Sequence, residues 1–142
     1  MNVTDKLLLD THVWVWLSLG TPGVIKPAPL KRLAAANRNH PLHVSILSVW
    51  EVAQLAAKAR LHLSMPTKTW VERALGHPAL RLVALDRPAI AVESNELPGT
   101  FHADPADRLL VATARIGGYT LVTRDRKILD YGKAGHVNVL GV

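Results

Sequence analysis

Four groups of acidic residues have the types and positions to hold a hard cation or to move protons. Asp10 ends the run Leu-Leu-Leu-Asp, and Glu51 closes Ser-Val-Trp-Glu. Asp104 and Asp107 share His-Ala-Asp-Pro-Ala-Asp-Arg, and Asp125 sits in Val-Thr-Arg-Asp-Arg. Each falls at the end of a predicted strand or the start of a predicted helix. A parallel α/β fold gathers such positions into one crevice beyond the carboxyl ends of its strands. Carboxylates gathered there are oxygen donors suited to Mg²⁺ or Mn²⁺ rather than zinc. The chain around them is basic, with 17 Lys and Arg against 11 Asp and Glu and a formal charge of +6. That balance suits a polyanion such as nucleic acid.

Each acid also has a local structural explanation. Asp10 follows a buried apolar run, where a bare charge is costly unless paired or metal-bound, yet a strand-end Asp can also bond its own turn. Ser48-x-x-Glu51 reads as a capping box, with Ser48 at the N-cap and Glu51 reaching back to it. Asp104-Pro105 reads as an N-cap followed by proline at the first helical position, where a missing N–H costs nothing. Asp107 lies on one helical stripe with Leu110, Val111 and Ala114, which should face the sheet; the alternative is a favourable charge in the first turn. Asp125 is flanked by Arg124, Arg126 and Lys127, so it fits either ligand duty or weak surface pairing. His12 and His102 lie near the acids as further candidates for metal binding or proton transfer, although surface or packing roles are commoner for histidine. Arg108, Arg124, Arg126 and Lys127 are candidate phosphate contacts, against the alternative of solvated surface charge.

The elements that must position these residues follow from periodicity and turn chemistry. Residues 7–10 read as a buried strand and 13–19 as a short helix behind it. Residues 20–29, with three prolines and two glycines, read as a loop. Helices are predicted over 30–38, 48–61, 67–75, 88–96 (opened by Asp86 as cap) and 105–116. Strands are predicted over 42–46, 80–85 and 119–123, with a last edge strand at 137–140. Strands alternating with helices imply a mainly parallel sheet covered on both faces. The whole chain, 1–142, reads as one domain.

Composition removes several classes of function. With no cysteine there is no disulfide, thiolate metal site or cysteine nucleophile, and a reducing compartment fits. No apolar run is long enough to span a bilayer, and the N-terminus is a poor secretion signal, so a cytoplasmic protein is expected. No phosphate-cradling glycine loop is present. Four tryptophans against one phenylalanine are unusual. Trp14 and Trp16 cannot share one helix face, so one of them is a candidate contact for a partner, with core packing as the plainer explanation.

Through Leu-Leu-Leu-Asp10-Thr-His, Ser48-Val-Trp-Glu51, Asp104-Pro-Ala-Asp107-Arg-Leu-Leu-Val-Ala-Thr-Ala and Leu-Val-Thr-Arg-Asp125, the chain resembles the PIN-domain ribonucleases. Within them it resembles the VapC toxins of toxin–antitoxin modules. The resemblance implies a three-layer α/β/α sandwich, Asp10, Glu51 and Asp107 as core acids, Asp125 as the fourth and Asp104 as a supporting acid. It further implies Mg²⁺ or Mn²⁺, an RNA substrate such as tRNA or rRNA, a small antitoxin partner seated in a hydrophobic groove, and a homodimer. Other readings of the same residues are a PIN-like nuclease for RNA processing or DNA flaps that has no antitoxin, and a nucleic-acid-binding module without catalysis.

Overall fold

The computed structural model describes residues 6–142; the N-terminal reading falls mostly on residues 1–5, outside that range. Five strands, β1 (Leu7–Leu9), β2 (Leu42–Ser45), β3 (Leu80–Val83), β4 (Thr120–Thr123) and β5 (Val139–Gly141), form one sheet in the order β3-β2-β1-β4-β5. Every pairing is parallel, with Leu8 opposite His43 on one side and Leu121 on the other. The chain therefore builds outward from β1 through β2 to β3, then returns to β1's other edge for β4 and β5. That reversal leaves a crevice beyond the carboxyl ends of β1 and β4, where ligands of open parallel sheets bind.

The seven helices of the described residues are α1 (Thr11–Leu19), α2 (Pro27–Asn37), α3 (Ile46–Ala57), α4 (Thr67–Leu75), α5 (Pro88–Asn95), α6 (Pro105–Gly117) and α7 (Arg126–Lys133). Two cores result. Leu7, Leu9, Val44 and Val122 project to one face, where they meet Val13, Trp14, Leu33, Val52 and Trp70. Leu8 and Leu121 project to the other, against Ile90, Leu110, Val111 and Ile128. This is why β1 is three consecutive leucines, all buried: a central parallel strand has no solvent side. Each leucine removed from water contributes roughly 1.5–3 kcal/mol. The expected three-layer sandwich is the fold observed, and its sheet is parallel throughout. Among the described residues, no helix is long and apolar enough to cross a membrane.

Local chemistry moves several boundaries. The 20–29 loop ends early because Pro27 and Pro29 sit in the first turn of α2, where proline's missing N–H is tolerated. α3 starts at Ile46, not Ser48, since Ser45 is its cap and accepts from the Leu47 N–H at 3.0 Å. Ser48 is thus a buried helical residue, and the expected Ser48–Glu51 capping box does not form. Asp86 is not a cap either, because α5 is preceded by Arg87 without a side-chain capping bond. Asp104 does cap α6, accepting from the Asp107 N–H at 2.9 Å, with Pro105 next and Gly118 ending the helix in a left-handed conformation. α7 was not expected from the sequence. Asp125 caps it, and Ile128 and Tyr131 bury its inner side. The last strand lies at Val139–Gly141 rather than 137–140, and it is an edge strand as expected.

Candidate active site

Asp10 leaves the end of β1 and caps α1. Its Oδ1 accepts from the Thr11 N–H at 2.8 Å, and its Oδ2 accepts from the Thr123 hydroxyl at 2.6 Å. Thr123, the last residue of β4, also accepts from the Asp125 N–H at 3.0 Å. Asp125 in turn accepts from the Ile128 N–H at 3.1 Å. One threonine hydroxyl thus ties the acid beyond β1 to the acid beyond β4. A second threonine links α1 to α3: Thr11 Oγ1 lies 3.1 Å from Glu51 Oε1 and 3.0 Å from the buried Ser48 Oγ. Ser48 is therefore part of the site's support rather than a cap.

Asp107, on the first turn of α6, approaches from the opposite layer. Its Oδ2 lies 3.0 Å from His102 Nε2, an ion-pair distance without the alignment of a hydrogen bond. The electrostatics show that these acids share one field. Burial, then the charges of Asp10, Asp107 and Asp104, push Glu51 up to about 7 against a hydrogen bond from Thr11. Burial, then Asp104, Asp10 and Asp125, push Asp107 up to about 6. Asp10 is raised chiefly by burial and slightly by Asp125, while Thr123, Thr11 and His12 oppose the rise. No lysine or arginine enters any of these balances, in a chain with 17 of them.

Residues 7–134 match the PIN domain family. The chain belongs to the PIN-domain family. This PIN domain is 36% identical over 127 residues to Ribonuclease VapC22 of Mycobacterium tuberculosis, a match covering 88% of this chain and 91% of the relative. Its fold is that of VapBC2 from Rickettsia felis bound to a promoter DNA fragment (TM-score 0.68, 14% identity, 96% of this chain and 98% of that one). DNA-bound VapBC from Salmonella typhimurium gives a TM-score of 0.65 at 16% identity, over 96% of this chain and 97% of that one.

A PIN domain whose carboxylates are desolvated, mutually repelling and short of nearby cations fits a divalent ion by donor chemistry. All the acid donors are oxygen, which suits Mg²⁺ or Mn²⁺. Among the described residues no three acids or histidines are drawn to direct-ligand spacing.

The basic residues near the site divide. Arg126 and Lys127 are exposed at the start of α7, free to meet solvent or phosphate. Arg124 instead lies 4.5 Å over the Trp16 ring and donates to the carbonyls of Val142 and Val24. Arg108 donates from Nε to Ser94 O at 2.8 Å, and from Nη1 to Phe101 O at 3.0 Å and His102 O at 3.1 Å. It binds the α5–α6 loop, with His102, to the helix that carries Asp107. Arg108→Ala leaves three carbonyls short of a charged donor and should lower stability by about 1–2 kcal/mol, read as a denaturant midpoint shift at constant slope. An unchanged midpoint would remove this positioning role.

Sequence reasoning missed Thr11, Ser48 and Thr123. Their signal is a hydroxyl adjacent to each acid in an otherwise apolar run: Asp10-Thr11, Ser48 one turn before Glu51, and Thr123 two residues before Asp125.

Proposed function

We propose that this PIN domain is a metal-dependent endoribonuclease and the toxin of a toxin–antitoxin pair. The observation that carries the reading is a set of desolvated carboxylates at the sheet's switch point that raise one another's pKa with no lysine or arginine among their charge partners, in a chain 36% identical to a ribonuclease. Asp10, Asp107 and Asp125 would hold Mg²⁺ or Mn²⁺ directly or through water, with Asp104 adding negative field from the α6 cap. When bound, the ion polarises the phosphate, lowers the pKa of water and stabilises the leaving oxygen. Glu51 would orient the attacking water or complete a second metal site. Thr11 fixes the carboxylate that does so. Attack by water leaves a 3′-hydroxyl and a 5′-phosphate and needs no 2′-hydroxyl. Arg126 and Lys127 are the bases best exposed to draw RNA phosphates toward the acids.

The test is cleavage of tRNA and rRNA by purified protein in Mg²⁺ or Mn²⁺, beside the same reaction in chelator. Cleavage that persists in chelator would overturn the metal-dependent reading. Growth arrest on expression, relieved by a co-expressed small partner, separates a toxin from an RNA-processing or flap nuclease.

Two surfaces suit the partners. An apolar groove of about 420 Å³, lined by Trp14, Leu17, Met65, Trp70 and Ala74 between α1 and α4, fits an apolar helix face of an antitoxin. The chain shares its fold with VapBC assemblies, which favours a partner of that kind. Trp14 and Trp16 do not supply an exposed tryptophan: Trp14 is buried against Trp70 at 5.2 Å, and Trp16 is half-covered. The exposed one is Trp50, at 55%. With Ile46, Ala53 and Ala57 it makes an exposed apolar stripe along α3, which we assign to a second copy of the chain. Trp50→Glu should shift sedimentation from dimer to monomer; an unshifted dimer would place the interface elsewhere.

A further inference from the structure

A second polar pocket lies away from the acids, under the β2–β3 side of the sheet. In a parallel sheet covered on both faces, inward positions are expected to be apolar. Half-buried His43 of β2 breaks that rule, and it pairs in register with the exposed Arg81 of the edge strand β3. On this side the helical cover from α5 and α6 is incomplete. It leaves an open pocket of about 450 Å³ lined by both residues, together with Lys6, Arg87 and Tyr119. Lys6 immediately precedes β1, about four residues and hence ~13 Å along the chain from Asp10.

The pocket is built rather than merely charged. The Tyr119 ring lies against Gly117, where an added Cβ would come within 2.3 Å of it. Lys6 Nζ sits 4.3 Å over the same ring and donates to Gly117 O at 2.7 Å. His43 lies 5.0 Å from the ring, edge-on, and its Nδ1 meets Leu7 O at 3.1 Å. Since a carbonyl can only accept, Nδ1 carries the proton. Arg81 uses Nη1 on the Pro78 and Leu80 carbonyls. Its Nε and Nη2 bond nothing among the described residues, and neither does the Arg87 guanidinium. The lining holds three formal cations against one acid, Asp86. Burial, then Lys6 and Arg81, lower the His43 pKa, so the cations share a field at the imidazole.

We infer that this pocket binds a nucleotide phosphate, held by Arg81 and Arg87 and flanked by the Lys6–Tyr119–His43 stack. Two sources share that chemistry: a free mononucleotide, or the backbone of an RNA strand whose remainder reaches the acidic crevice. Arginine's planar fork suits phosphate, and stacked aromatic and cationic groups suit nucleotides generally. The inference does not need cleavage. Binding is read in chelator, so a failure to cut RNA in Mg²⁺ would sink the nuclease reading and leave this one standing.

The full chain is titrated in chelator with AMP, with inorganic phosphate and with a short single-stranded RNA lacking terminal phosphates, while the backbone amides of His43, Arg81 and Tyr119 are followed by NMR. Saturable shifts at these amides with AMP identify a mononucleotide site; shifts with RNA alone identify a strand-binding site. An R81Q/R87Q variant, whose retained fold the same spectra report, should weaken the binding of whichever probe saturates. If that probe is RNA, losing two phosphate contacts should also lower the salt dependence of log K by about 1.4, at about 0.7 per contact. The inference is overturned if no probe gives saturable shifts there, or if the double variant binds as the parent does.

Discussion

Asp107→Asn is expected to reduce RNA cleavage by about 100-fold or more while leaving the fold intact, because groups that only orient metal ligands already cost roughly 10–100-fold when removed. The substitution keeps the shape of the side chain and the Asp107 N–H that donates to Asp104 Oδ2. It removes one charge from a carboxylate that burial and three neighbouring acids hold at about 6. Asp104→Asn makes the informative contrast. Asparagine caps helices about as well as aspartate, so α6 should keep its start, and cleavage should fall by less than about 10-fold if Asp104 acts only through its cap and field. Single-turnover rates of the two variants, beside their thermal melts, separate the roles. Parent-like cleavage by Asp107→Asn would place the chemistry outside this crevice. An equal collapse in both variants would make Asp104 a ligand.

The difference between those two acids was legible in the sequence, and the reason is local. Asp104-Pro105 is a cap signature that depends on a few residues, and the structure realises it. Asp107 stood out because its helical spacing with Leu110, Val111 and Ala114 puts it on a buried face, and those three residues are buried. The strand-end position of Asp10 likewise follows from three leucines that only a central strand would bury. The expected capping box fails for the same kind of reason. Ser48-x-x-Glu51 satisfies a local pattern, but Ser45 is also a capping residue, and the strand register decides between them by ending β2 at Ser45. For the threonine bridges the sequence offers only a hydroxyl close to an acid, and it does not say which distant acid that hydroxyl meets: Thr11 and Thr123 bond acids 40 and 113 residues away. α7 is hard to read from sequence because it has only eight residues, too few to hold a helix by propensity alone, and tertiary burial of Ile128 and Tyr131 stabilises it. The arginines were read from proximity in sequence, and geometry divides them: Arg108 and Arg124 turn back to backbone carbonyls, while Arg126 remains exposed.

The same repulsion that suits the crevice to a cation should make the cation-free protein lose stability as pH rises. Glu51 is raised from 4.5 to about 7 and Asp107 from 3.8 to about 6. An acid with a raised folded-state pKa binds its proton more tightly folded than unfolded. Its favourable contribution is therefore complete below the unfolded pKa and lost as pH climbs through the folded one. For these two groups the loss runs from about pH 4 to about pH 8, and Asp10, also raised, acts in the same direction. Each tenfold difference in proton affinity between the folded and unfolded chain is worth about 1.4 kcal/mol. Both side chains are partly exposed, so solvent screening reduces each contribution to about 1–2 kcal/mol. His43, whose pKa is lowered by burial, works in the opposite sense on the acid side of neutrality, so the clearest window lies between pH 6 and 8. In chelator, the melting temperature should fall across that window by several degrees, at roughly 3–5 °C per kcal/mol for a chain of this size. Glu51→Gln combined with Asp107→Asn should flatten the fall and raise the melting temperature at pH 8, even as it abolishes cleavage. Mg²⁺ at a hundred times its Kd should add about 2.7 kcal/mol to the parent at pH 8, with much less gain at pH 5, where the carboxylates are protonated. A parent whose melting temperature in chelator is level or rising between pH 6 and 8, with no response to either ion, would mean that these acids do not share one field. The case for a cation between them would fail with it.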